Sequence, residues 1–116
     1  MIEAEALTEL VHGCVENFTW FGMHGKRPEE PAIVIRISDN ATQELLEELK
    51  QTLGGRITSN WCSGFRDPQW MLHGDRAAEI SKIVLKALKK LKPQKNVNTK
   101  IIAIEAMLYR WRNRKK

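Results

Sequence analysis

Apolar residues in this chain recur with two different periods, and the order in which those periods alternate constrains the fold more than any other feature. From Glu3 to Glu16, Leu7, Leu10, Val11, Cys14 and Val15 fall three and four residues apart, the spacing of one helix face. The period then drops to two. Over 18–24, Thr19, Phe21 and Met23 share one side and Phe18, Trp20 and His24 the other. "GKRPEEP" (25–31) is a turn rich in Gly, Pro and charge. "AIVIRIS" (32–38) alternates again, with Ile33, Ile35 and Ile37 opposed to Val34, Arg36 and Ser38.

The same progression then repeats. Asn40, with Gln43 three residues on, forms a capping-box start for a helix striped by Leu45, Leu46, Leu49 and Leu53. Gly54 and Gly55 end it. "GRITSNW" (55–61) and "QWMLH" (69–73) read as strands on either side of the loop "CSGFRDP". Asp75 caps a third helix with the stripe Ala77, Ile80, Val84, Ala87, Leu88 and Leu91; "KPQKN" breaks it. A last helix starts near Val97 and carries Ile101, Ile104, Leu108 and Trp111. The order α-β-β-α-β-β-α-α predicts an α+β layer fold, with a four-stranded antiparallel saddle sheet and helices on one face. Residues 1–109 form one domain in this reading, and 110–116 a basic tail with Arg110, Arg112, Arg114, Lys115 and Lys116.

The helix-free face is then expected to carry Arg36, Ser38, Arg56, Thr58, Asn60, Gln69 and His73, without a hydrophobic stripe. Trp20, His24 and Met71 share its parity. Such hydrogen-bonding groups suit the reading of base edges, and a twisted β-ribbon fits a major groove. A plain solvent-facing sheet has the same alternation. Charge is unevenly spread: four Lys or Arg stand against ten acids in residues 1–50, and fifteen against four in 51–116. The basic half suggests an anionic partner, nucleic acid above all. Cys14 and Cys62 lack a metal-ligand spacing and read as free thiols of a reducing compartment. His12 and Cys14, two apart on a helix, do not face one another. With acids rather than an apolar run at its start and no stretch of membrane-span length, the chain is expected in the cytoplasm, or associated with the nucleoid.

Two stretches carry a resemblance. "ATQELLEELKQTLGGRI" is a helix running into a Gly-Gly turn and a strand, and "QWMLHGDRAAEISKIVLKALKKLKPQK" is a strand, a helix and a basic segment. In order, length and turn glycines they resemble the LAGLIDADG homing endonucleases, over roughly Glu5 to Glu105. The signature at the end of the first helix is degenerate, and two alignments are open. Either Glu16 is the terminal acid with Asn17 in place of glycine, or Gly13 is the helix-packing glycine and Phe18 occupies the catalytic position. The resemblance implies half of a DNA-cutting enzyme, completed as a homodimer with Leu10, Gly13 and Cys14 at the interface. It implies Glu16 as ligand of a catalytic Mg²⁺ and Lys95, or the neighbouring Lys92, beside the phosphate. Asp39 is a candidate water-positioning group, or simply a turn acid. The expected DNA contacts are Trp20, His24, Arg36, Ser38, Arg56, Thr58, Asn60, Gln69, Met71 and His73. With the signature broken, a non-catalytic DNA-binding regulator, an RNA-binding splicing helper and a protein-binding inhibitor on the same scaffold remain alternatives.

Overall fold

Helix α1 (Glu3–Val15) is followed by β1 (Thr19–His24), β2 (Glu30–Arg36), α2 (Gln43–Leu53), β3 (Arg56–Ser59), β4 (Pro68–His73), α3 (Asp75–Lys89) and α4 (Lys95–Arg112). This is a computed structural model, and it describes residues 1–25, 29–59 and 68–114. The strands form one antiparallel sheet in the order β1-β2-β4-β3, so each hairpin contributes an edge strand and an inner strand. The fold is α+β, as the alternating periods predict.

Local chemistry explains most element ends. Asn17 closes α1 with φ of 63°, the left-handed conformation that Asn tolerates better than other side chains. The Phe18 N–H then donates to the Gly13 carbonyl at 2.9 Å, which gives the six-to-one bond of a Schellman stop. Edge contact between the His12 and Phe18 rings, 5.7 Å between centroids, closes the same turn. Two glycines with φ near 88°, Gly54 and Gly55, end α2 as expected. A Cβ on Gly55 would lie 2.5 Å from the Met71 carbonyl oxygen, so only glycine lets this turn rest on β4.

Two caps differ from expectation. Thr42, not Asn40, caps α2, its hydroxyl accepting from the Leu45 N–H at 3.2 Å. Asn40 is occupied in a tight turn where Ser38 and Ala41 exchange backbone hydrogen bonds and Ser38 Oγ accepts from the Asn40 N–H. Gly74 precedes α3, so Asp75 is its first helical residue and favours the helix N-terminus by charge alone. Helix α4 begins at Lys95 and runs through Arg112, so Arg110 and Arg112 belong to a helix rather than to a tail. Beyond it, the Arg114 guanidinium lies 3.4 Å from the Trp111 ring centroid.

One core joins Leu10 and Cys14 of α1, Ile33 and Ile35 of β2, Leu46 and Leu49 of α2, Trp70 of β4, Ile80 and Val84 of α3, and Ile104 and Met107 of α4. Each of these is essentially inaccessible to solvent. Burying each such side chain contributes about 1.5–3 kcal/mol. Trp70, the central aromatic, satisfies its indole N–H on the Gly54 carbonyl at 2.9 Å. Among the described residues, no helix is long and apolar enough to cross a membrane.

Candidate nucleic-acid interface

The sheet's register assembles the helix-free face in rows. Trp20 pairs with Val34, Val34 with Met71, and Met71 with Arg56, so one row crosses all four strands. Arg36, Gln69 and Thr58 form the next row, and Gly22, Ala32 and His73 another. This overturns the expectation of a face without a hydrophobic stripe. Val34 and Met71 are buried and make an apolar floor beside the half-exposed Trp20. The inner strands β2 and β4 are buried on both faces, whatever their alternation suggests.

A cleft of about 660 Å³ opens over this floor. Of the expected contacts it brings together Trp20, His24, Arg36, Ser38, Gln69 and Met71. Gln69 is itself buried, and its Oε1 accepts from Arg36 Nε at 3.2 Å, so its amide oxygen positions the guanidinium. Arg56 and Thr58 lie on the same face toward the β3 edge, outside the cleft lining. His73 is also outside it, with Nδ1 3.0 Å from the Glu30 carboxylate. Asn60 lies outside the described residues.

Lys100 of α4 lines the cleft and was not singled out from sequence. It sits one turn before Ile104 of the core stripe, at the edge of the helix's apolar face, and only the approach of α4 to β1 reveals its position. Partial burial pulls its pKa below the ordinary lysine value, an effect the neighbouring Cys14 opposes. Cys14, enclosed in the core, has its thiol pushed up to about 12 by burial. It is neutral at physiological pH and a poor nucleophile.

Glu16 follows the end of α1 and Lys95 opens α4, and these two helix ends lie at one corner of the molecule. The Asn96 side chain donates to the Val15 carbonyl at 2.9 Å and so ties the start of α4 to the end of α1. Glu16 is exposed there. Among the described residues, no three His, Cys, Asp or Glu side chains stand close enough to hold a metal ion. Among the described residues a single chain thus offers Glu16 without companion ligands, which does not fit a complete Mg²⁺ site.

Leu10, Gly13 and Cys14 cannot form a surface between two chains. Leu10 and Cys14 are 0% exposed within one chain. Gly13 faces inward too: a Cβ there would stand 1.8 Å from Thr19 Oγ1. The apolar surface that α1 leaves open lies on its other side, where Leu7, Thr8 and Val11 face Ile83, Val84 and Ala87 of α3 across a shallow groove.

No protein-family model matches this chain, and neither does any curated protein or solved structure.

Proposed function

We propose that this chain binds duplex DNA through the open face of its sheet and does so as a homodimer. The carrying observation is the character of the cleft. Among the described residues lining it, every titratable side chain is basic: His24, Arg36 and Lys100. Arg56 adds a further cation to the same face. An apolar floor with a cationic rim suits a polyanion that also presents flat, apolar groups. The uneven charge of the chain points the same way.

The dimer implied by the resemblance to LAGLIDADG endonucleases is assigned to the α1–α3 groove, where Ile83 is 46% exposed, rather than to the buried Leu10, Gly13 and Cys14. Cleavage, implied by the same resemblance, requires the second copy to bring its own acid to the corner that Glu16 and Lys95 share. Glu16→Gln separates the readings. A DNA-binding protein keeps its function in that variant, whereas an Mg²⁺-dependent nuclease stops cutting and keeps binding.

The primary test is equilibrium binding to a duplex across a salt series, with single-stranded DNA and structured RNA in parallel. Affinity is expected to fall linearly on logarithmic axes, with a slope of about −0.9 per phosphate neutralised. Arg36→Ala and Arg56→Ala are each expected to reduce that slope. Absence of salt-sensitive binding at low ionic strength would overturn the proposal in favour of a protein-binding module, and tighter binding to RNA would redirect it to an RNA partner.

A further inference from the structure

Trp20 lies on β1, an edge strand, and its indole folds along its own strand onto Gly22. A Cβ built at Gly22 would stand 2.5 Å from Cζ2 and 2.6 Å from Cη2 of the ring. Any side chain at position 22 would therefore lift the indole off the sheet. The residue nevertheless remains 45% exposed and lines the cleft, so the ring face turned away from Gly22 is open to it. Val34, the cross-strand partner of Trp20, and Met71 beyond it continue the apolar surface at the level of the sheet. Phe18 borders the same space, and Arg36 and Lys100 stand at its rim.

A ring that only covers a glycine needs no such surroundings. A large aromatic with one face supported and the other open, in a cleft whose charged groups are cationic, matches the requirement for stacking a nucleobase. Stacking needs a flat apolar surface, and the attached phosphates need cations within a nucleotide's reach. A paired, stacked base cannot offer its face to such a surface, because its neighbours in the helix already cover it. We infer that Trp20, held flat by Gly22, is a stacking platform for an unpaired base of the bound nucleic acid, with Arg36 and Lys100 placed for the flanking phosphates. The inference rests on the nucleic-acid reading of the same face and narrows its ligand to one with an unstacked nucleotide, such as a bulge, a flipped base or a single strand.

The test compares two duplexes that differ only by one extra unpaired nucleotide, in binding titrations at fixed salt with the full chain. The wild type is expected to prefer the bulged duplex by about tenfold, the scale of one base–aromatic stack. Trp20→Ala should bring that ratio close to one by weakening the bulged duplex about tenfold more than the paired one. Trp20→Phe should retain most of the preference, and Gly22→Ala, which displaces the ring, should lose most of it. Thermal melts followed by circular dichroism check that each variant folds; should Trp20→Ala fail, the wild-type ratio and Trp20→Phe still decide. Equal wild-type affinity for both duplexes, or a preference that survives Trp20→Ala, overturns the platform and leaves duplex binding standing. Failure to bind either duplex overturns both.

Discussion

The Asn96 side chain donates to the Val15 carbonyl at 2.9 Å, across eighty-one positions of sequence. That carbonyl is in the last turn of α1, where no intrahelical donor remains for it. The bond therefore satisfies an orphan acceptor, fixes the start of α4 against the end of α1, and brings Lys95 to the corner held by Glu16. Asn96→Ala is expected to cost about 1 kcal/mol. A chemical-denaturation midpoint lowered at constant slope is the result that checks it, and an unchanged midpoint would mean that water replaces the amide without loss.

Asn17 holds the other side of this corner with its positive φ. Its backbone conformation is strained for any side chain and free for glycine. Asn17→Gly should stabilise the chain by a few tenths to about 1 kcal/mol, and Asn17→Val should destabilise it by about 1–2 kcal/mol, because a β-branched residue tolerates this region least. Melting temperatures of the two variants measured side by side test the sign of both effects.

These two residues show how unevenly the structure was legible from sequence. The stop at Asn17 was legible as local chemistry, an amide side chain that tolerates the left-handed region at the end of an apolar stripe. So were the two hairpins and the Gly54–Gly55 turn, because each depends on neighbours in the chain. Asn40 misled because two local motifs compete at 38–43, and the Ser38–Ala41 turn takes Asn40 before the helix can use it. The apolar row of Trp20, Val34 and Met71 was missed for another reason. Alternation assigns each residue to a face of its own strand, but only register decides which residues stand side by side. Leu10 and Cys14 stood at an interface only by the resemblance, and the apolar stripe that carries them packs into the chain's own core. Lys100 enters the cleft through packing of α4 against β1, which no spacing along α4 encodes.

Lys100 sets binding against stability. Its pKa is lowered in the folded chain chiefly by burial, so the unfolded chain holds the proton more tightly. Stability linked to this group accordingly rises with pH through the window between the lowered folded value and the unfolded value of 10.5. Below that window the charge carries its desolvation cost. Lys100→Met should therefore raise the melting temperature near neutral pH, modestly because the group is only partly buried, and the gain should shrink as pH approaches the unfolded value. The same variant should bind duplex more weakly and with a shallower salt dependence. Melting curves and binding titrations on one preparation test both halves; a variant less stable at neutral pH would show that the lysine stem's packing outweighs its charge.

The groove between α1 and α3 offers the last prediction. Ile83 is 46% exposed beside the half-buried Leu7 and Val11 of α1. The two helices carry opposite net charge: Glu3, Glu5 and Glu9 on α1, and Arg76, Lys82, Lys86 and Lys89 against Asp75 and Glu79 on α3, with Glu3 already paired to Arg76 and Lys89 to Glu105 within one chain. When two copies meet groove to groove about a two-fold axis, the acidic helix of each can lie against the basic helix of the other, so the surface is complementary to itself. Ile83→Glu would put a charge in the apolar centre of that contact while remaining harmless in a free monomer, where the side chain already meets solvent. Light scattering after size exclusion should find the wild type at twice the chain mass and Ile83→Glu at the single-chain mass, with unchanged circular dichroism. If DNA binding needs two copies, the same substitution should lower affinity for a palindromic site far more than for one half-site. A wild type that stays at the single-chain mass at every concentration would remove the dimer and leave the sheet to bind as one copy.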